Sequence, residues 1–240
     1  MPDAIFDDPR LARLYDPLDP DRSDLDAYFA MVREFSARSV LDIGCGTGTF
    51  PCLLAGEGFE VVGVDPALAS LDVARRKPGA ERVRWIHGDA TSLPPLNADT
   101  AFMTGNVAQV FLTDEEWVAT LTGIREALRA GGRLVFETRD PEQKAWLGWV
   151  RDATFEDVQL PDVGRVRSWT DLIDVSPPLV TFESWVVLPS GEPLRSTSTL
   201  RFRSRGEVEH SLLDAGFTVS EVRDAPDRPG KEFVFVALRS

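Results

Sequence analysis

The sequence predicts an α/β fold: a Rossmann-like, seven-stranded, mostly parallel sheet whose last strand is reversed, carrying an antiparallel β insertion. Three observations predict it. Between residues 39 and 138, short apolar runs alternate with helix-like segments, the pattern of strands covered by crossover helices. The first apolar run stops at a glycine-rich loop. Residues 139–204 are far longer than a normal connection and carry strand signals of their own.

The elements follow in order. Ser39 to Ile43 reads as the first strand, Thr49 to Ala55 as a helix, and Glu60 to Val64 as a second buried strand. Ala67 to Arg76 is a helix ended by Lys-Pro-Gly; Val83 to Ile86 and Thr100 to Thr104 are strands three and four. Thr113 and Glu116 stand at capping-box spacing, opening a helix predicted to run to Ala130 and to stop at Gly131-Gly132. Arg133 to Thr138 is the fifth strand. Ser204 and Glu207 repeat the capping-box spacing for a helix ending at Ala215, and strands at Phe217–Val222 and Phe233–Leu238 close the chain.

Two regions stand outside the alternation. Residues 1–38 read as an acidic, proline-punctuated lead followed by a helix from Ser23 to about Ala37. Residues 139–204 contain strands at Val166–Val175, Leu179–Leu188 and Leu194–Phe202. The last two flank the turn Pro189-Ser-Gly-Glu-Pro193, and a short helix with Trp146 and Trp149 precedes them all. The expected organisation is therefore an N-terminal helical segment over the active site (1–38), a core (39–138 and 205–240) and an antiparallel β insertion acting as a substrate lid (139–204).

Composition narrows the function. The 240 residues carry 39 acidic and 26 basic side chains, a formal charge of −13. Such a surface repels phosphate backbones, so nucleic acid is not the expected partner. No apolar run approaches membrane-span length and no signal-peptide pattern opens the chain, so a cytoplasmic location without membrane attachment is expected. Cys45, Cys52 and two histidines make no metal-ligand spacing, and no metal is expected.

The glycine loop selects among nucleotide-type ligands. A strand feeding glycines and then a helix lets backbone approach a ligand without Cβ obstruction. A dinucleotide fingerprint requires a third glycine where this chain has Thr49. The pattern present is acidic-x-G-x-G-x-G, from Asp42 through Gly44, Gly46 and Gly48, with Cys45 between the first two glycines. Here the sequence resembles the class I S-adenosylmethionine-dependent methyltransferases, whose first motif is matched by Leu41-Asp-Ile-Gly-Cys-Gly-Thr-Gly48. The later landmarks follow in family order. The resemblance implies that Asp65 accepts the ribose hydroxyls, that Asp89 and Ala90 lie at the adenine, and that Gly105 and Asn106 lie beside the methionine end. Pro66 stands where the family usually carries a larger aliphatic against the adenine. Without a ligand, the glycines could make a tight turn, Asp65 a helix N-cap, Asp89 a turn and Asn106 a turn cap.

S-adenosylmethionine would supply the electrophile, leaving the protein to align the acceptor and exclude water. Neither His87, at the adenine-side strand end, nor His210, within a helix, is a good base candidate, so no catalytic base is named. Tyr15 matches a position where similar family members place a tyrosine over the active site; its other reading is an anchor for the N-terminal segment. Gln109 and Arg139 are further substrate candidates from the ends of strands four and five. Four of the six tryptophans (Trp146, Trp149, Trp169, Trp185) lie in the insertion, where an aromatic lid would make a dry pocket for a small-molecule acceptor. The same tryptophans could instead form the insertion's own core or a homodimer contact. The expected activity is methyl transfer to nitrogen or oxygen of a small molecule. The rival readings are a non-catalytic binder of S-adenosylmethionine or S-adenosylhomocysteine, and an RNA methyltransferase.

Overall fold

The computed structural model describes all 240 residues. Seven strands form the main sheet: β1 (Ser39–Ile43), β2 (Glu60–Asp65), β3 (Val83–His87), β4 (Ala98–Met103), β5 (Leu128–Arg139), β10 (Phe217–Asp224) and β11 (Glu232–Arg239). Their spatial order is β10-β11-β5-β4-β1-β2-β3. β1 to β5 run parallel, while β11 enters antiparallel between β5 and β10. The order turns back between β1 and β4, so the carboxyl ends of those two strands open a crevice suited to a ligand.

Helices cover both faces because successive strand residues point to opposite sides. On one face Leu41, Ile43, Phe136 and Phe235 pack with Trp117 and Leu121 of α6 (Asp114–Ala127) and Leu212 of α8 (Arg205–Asp214). On the other, Val40, Phe102, Val135 and Val234 pack with Tyr28 of α3 (Leu25–Glu34) and Phe50 of α4 (Thr49–Gly56). Both predicted capping boxes form: Thr113 with Glu116, and Ser204 with Glu207.

The structure corrects the predicted end of α6 and adds two helices to the N-terminal lead. α6 stops at Ala127 and Leu128 is already extended; Gly131-Gly132 lie inside β5. There the register with β4 jumps from Ala98↔Leu128 to Thr100↔Arg133. A Cβ at Gly132 would stand 2.9 Å from the Arg129 carbonyl oxygen, so glycine serves a bulge and not a helix stop. The N-terminal lead is helical, as α1 (Ala4–Asp7) and α2 (Pro9–Leu18). Asp8 caps α2 by accepting from the Arg10 amide at 2.8 Å, and Pro9 takes the first helical position, where its missing N–H costs nothing. Acid and proline there mark a helix start.

The insertion is a four-stranded antiparallel sheet: β6 (Glu156–Leu160), β7 (Gly164–Ser176), β8 (Leu179–Val187) and β9 (Pro193–Arg201). Three of these strands were legible. The edge strand β6, Glu-Asp-Val-Gln-Leu, has too few apolar residues to stand out. The helix expected at Trp146 is a single 3₁₀ turn, Ala145–Gly148, with Trp149 just beyond it. Strand alternation gives the sheet two faces. Val166, Val186 and Leu194 pack on Leu11 and Leu14 of α2. Phe182, on that same face, meets Trp149 with ring centroids 4.8 Å apart. Trp169 and Trp185 point the opposite way. No helix of the protein is long and apolar enough to cross a membrane.

Candidate active site

The glycine loop between β1 and α4 uses its glycines for two different purposes. A Cβ on Gly44 would meet Val107 at 2.6 Å, and one on Gly48 would meet Trp85 at 2.6 Å and Ala74 at 2.7 Å. These two glycines permit close packing of the loop on the protein. Gly46 and Gly105 also have positive φ (52° and 71°), yet a Cβ on either would meet nothing within 4 Å. They face open space, where the left-handed turn favours glycine and a ligand can approach the backbone unobstructed.

Asp42 and Asp65 flank this loop. Asp65 is buried, accepting from the Gly46 amide and the Ala67 amide at 2.7 Å each. Burial raises its pKa and the two amides hold it back. It therefore both fixes the turn leading into α5 (Leu68–Ala74) and ties β2 to the loop. Asp42 is 1% exposed and its Oδ1 has no hydrogen-bond partner. Burial, with Asp65 nearby, drives its pKa well above the usual carboxylate range. An orphaned buried acceptor beside two open glycines fits a ligand that brings a donor or a cation.

Asp89 behaves as the turn residue the sequence allowed: its Oδ1 accepts from Thr91 N (2.9 Å) and Thr91 Oγ1 (2.6 Å). Ala90 is buried and packs beneath α6, where a Cβ on Gly123 would strike its carbonyl oxygen. Pro66 is exposed, and its carbonyl oxygen lies 3.1 Å from His87 Nε2. Cys45 is a buried free thiol whose pKa burial pushes well up, a packing residue beneath the loop. His210 is exposed on α8 with Asp214. Neither histidine is placed as a base.

Three predicted residues, from the ends of β4 and β5, are brought together. Asn106 is 3% exposed in a left-handed conformation (φ 61°). Its amide donates to Glu137 Oε1 at 3.0 Å, and its Nδ2 donates to both Glu232 oxygens at 3.3 and 3.4 Å. Arg139 lies 3.6 Å from Glu232 and donates to Gln109 Oε1 at 2.9 Å. Gln109 is fully buried and also reaches the Arg201 carbonyl, so its work is to hold Arg139. Arg228 completes the group with a 2.6 Å ion pair to Glu232. Glu137, Glu232 and Arg228 were not singled out from sequence. Glu137 leaves a trace, an acid inside the buried run Leu-Val-Phe-Glu-Thr; Glu232 and Arg228 leave none, because only the reversed last strand carries them there.

Glu137 is the most perturbed member of the group with a defined value. Burial first, then the charge of Glu232, raise its pKa to about 7 against the pull of the Asn106 and Gly105 amides and Arg228. Its second oxygen has no partner. Through those two amides Glu137 pins the Gly105–Asn106 turn.

The N-terminal helices are tied to the glycine loop, to α5 and to the insertion. Asp16 accepts from Thr47 Oγ1 of the glycine loop at 2.6 Å and pairs with Lys77 at 2.7 Å. Ile5 N donates to Ser196 Oγ of β9 at 2.8 Å, and Ser70 of α5 donates to the Phe6 carbonyl at 2.7 Å. Tyr15 is thereby held between loop and insertion, its ring centroid 5.7 Å from that of Phe6. Burial raises its pKa, opposed by Arg22. Of the four insertion tryptophans, Trp149 covers the Arg139 guanidinium at 5.4 Å. Trp146 is core, packed on Phe202 at 4.6 Å. Trp169 and Trp185 face away, so of the four only Trp149 lies against a crevice residue.

Comparison with known proteins agrees with this geometry. The methyltransferase domain model matches residues 40–132. A demethylmenaquinone methyltransferase of Thermus thermophilus is 35% identical over 80% of this chain and 85% of its own length. A tRNA U34 carboxymethyltransferase of Shewanella piezotolerans is 31% identical over 52% of this chain; the match spans about half of that relative, 46% of its length. Among solved structures, the sugar N-methyltransferase KedS8 from Streptoalloteichus superposes with a TM-score of 0.78 at 20% identity, covering 94% of this chain and 92% of the other. The chain belongs to the class I S-adenosylmethionine-dependent methyltransferases. The chain spans about half the length or less of the first curated relatives it matches, among them a cypemycin N-terminal methyltransferase of Streptomyces, of which 48% is covered.

Proposed function

We propose that the chain methylates a small molecule held between the inner face of the 139–204 sheet and the N-terminal helices around Tyr15. The observation that carries this reading is the joining of those two elements into one cover. Leu11 and Leu14 of α2 share a buried cluster with Val166, Val186 and Leu194 of the insertion. Ile5 is bonded to Ser196 across the same seam. A cover joined in this way favours a compact acceptor over a polymer threaded past the strand ends. The charge of −13 acts in the same direction.

Bound S-adenosylmethionine supplies an electrophilic methyl group on a sulfonium. With that group bound, the acceptor's lone pair would bond to the methyl carbon as the carbon–sulfur pair returned to sulfur, so the chain's own task is to align and desolvate the acceptor. In this reading Gly46 and Gly105 admit the cofactor backbone-close, Asp65 takes the ribose, and Asp42 and the Asn106 turn face the methionine end. Glu137 and Glu232 hold that turn from behind. Tyr15, Arg139 and Trp149 border the acceptor, and the cover excludes water.

The test is a paired screen for methyl incorporation from labelled S-adenosylmethionine, with a metabolite collection against bulk tRNA and rRNA. Labelling of a metabolite, with a KM raised by Tyr15→Ala, is expected. RNA labelling that falls with added salt would transfer the chain to the tRNA-directed reading, which its Shewanella relative makes the second choice. Cofactor binding without turnover on either set would favour the binder.

A further inference from the structure

Arg139 is a guanidinium with donors to spare. It stands at the carboxyl end of β5 with its side chain 20% exposed. Its Nη1 donates to the neutral Gln109 at 2.9 Å, and its Nε lies 3.6 Å from Glu232, beyond hydrogen-bond reach. Glu232 is itself engaged by Arg228 at 2.6 Å and by Asn106 Nδ2 at 3.3 and 3.4 Å. Nε and Nη2 of Arg139 therefore make no hydrogen bond within the protein, and neither atom is sealed off. A guanidinium has five N–H donors and no acceptor, so these unspent donors call for an oxygen ligand. Burial pulls the Arg139 pKa down, and an anion at the free donors would offset that cost.

The insertion above it offers further donors and no competing acid. Trp149 lies over the guanidinium at 5.4 Å and meets Phe182 at 4.8 Å, which sets Arg139 beneath the inner face of the sheet. Register places Phe182 opposite Leu172 on one side and Ser198 on the other. Ser198 is 5% exposed, and its hydroxyl has no partner within the protein. The next row toward α2 is Thr170, Ser184 and Ser196, hydroxyls again, with Ser196 committed to the Ile5 amide. Asp171, Asp174 and Glu183 all lie on the outer face of the sheet. The acids that do lie near, Glu137 and Glu232, are both 4% exposed behind the Asn106 turn. A cationic group entering here would meet a like charge. An anionic group meets a guanidinium on one side and a hydroxyl donor on the other.

We propose that the acceptor carries a carboxylate or phosphate group, received between the free donors of Arg139 and the Ser198 hydroxyl beside Trp149. This rests on the small-molecule reading above and narrows it to anionic metabolites. Trp149 keeps water from one side of the guanidinium, and an ion pair gains strength as water is excluded. Gln109 holds the guanidinium in place without neutralising it. One guanidinium suits one anionic group on a compact molecule, whereas a polyanion would also meet the surface charge of −13.

Side-chain NMR of the S-adenosylhomocysteine complex tests this directly, with the Arg139 Nε–H resonance assigned by its loss in Arg139→Met or Arg139→Lys. Acetate and inorganic phosphate are the anionic probes, acetamide the neutral match for acetate, and sodium chloride the control for ionic strength. Acetate or phosphate should shift that resonance with an apparent affinity about tenfold or more above that of acetamide. The stronger of the two identifies the group as carboxylate or phosphate. Ser198→Ala leaves the guanidinium and its partners in place and should weaken the preferred anion by about twofold to tenfold, the scale of one hydrogen bond. Metabolites labelled in the methyl-transfer screen should carry the same group. An equal response to acetamide or to chloride, no response to either anion, an affinity untouched by Ser198→Ala, or a labelled metabolite without an anionic group would each overturn the proposal. Those outcomes leave the small-molecule reading standing; labelling of RNA in the paired screen is what removes that reading, so the two failures are told apart.

Discussion

Glu137→Gln should make the protein more stable relative to the native chain as pH rises. Glu137 is 4% exposed, has one oxygen without a partner, and has a folded-state pKa of about 7 against an ordinary value of 4.5. A raised carboxyl pKa means that the fold prefers the protonated form. Below pH 4.5 both folded and unfolded chains carry the proton, and no penalty arises. Between 4.5 and 7 the unfolded chain releases it first, and folding stability falls. Above 7 the penalty is complete and constant. Each pKa unit is worth about 1.4 kcal/mol, so this one residue costs roughly 2.5 kcal/mol between pH 5 and pH 8.

Glutamine keeps an oxygen for the Gly105 and Asn106 amides and removes the titration. Urea unfolding of both proteins at pH 5 and pH 8 isolates the effect. Asp42 and Asp65, also shifted upward, titrate in both proteins and drop out of the difference. The variant should gain roughly 2–3 kcal/mol on the native chain between the two pH values, or about 5–10 °C in melting temperature for a chain of this size. A difference that does not change with pH, or a native chain that gains on the variant, would show that Arg228 and Arg139 keep Glu137 ionised and that burial has been overweighted.

The remaining predictions test the crevice. Gly46→Ala strains a left-handed residue by about 1–2 kcal/mol but collides with no protein atom, so S-adenosylhomocysteine affinity should fall by more than stability does. Gly48→Ala drives a Cβ into Trp85 and Ala74 and should instead show chiefly as lost stability in the melting curve. Asp65→Ala should weaken cofactor binding by about 1–3 kcal/mol in calorimetry and also lower the melting temperature, since the Gly46 and Ala67 amides lose their acceptor. Trp149→Ala should raise the acceptor KM while leaving cofactor affinity unchanged; an equal loss of both would move Trp149 out of the acceptor chamber.

Local chemistry made most of the main fold legible. Glycines, capping boxes and apolar runs act within a few residues, and β1 to β4, α6 and α8 appear where those signals stand, apart from ends shifted by one to three residues. Failures came where one signal has two physical uses. Gly131-Gly132 can stop a helix or admit a bulge, and the choice depends on carbonyls from β4 that the local sequence does not reveal. Asp8-Pro9 shows in sequence only as part of an acidic, proline-bearing lead, and its capping of a helix depends on α2 finding an apolar partner in β7 to β9.

The candidate site divides along the same line. Residues that meet the cofactor loop sit beside glycines and strand ends, so sequence exposes them. Residues that fix the acceptor side are set by distance in space: Glu232 reaches Asn106 across 126 positions of sequence. Such residues have a consequence for the chemistry. Asn106, Gln109 and Arg139 look from sequence like three independent contacts, but each is committed to a protein partner. Arg139 alone keeps an aromatic neighbour, Trp149, on the acceptor side. Substituting Gln109 should therefore act on the acceptor through Arg139: Gln109→Ala and Arg139→Ala should raise the acceptor KM by similar factors, and the double variant should do little more than either alone. Additive losses would mean that Gln109 meets the acceptor itself, and that its burial against Arg201 gives way when the acceptor binds.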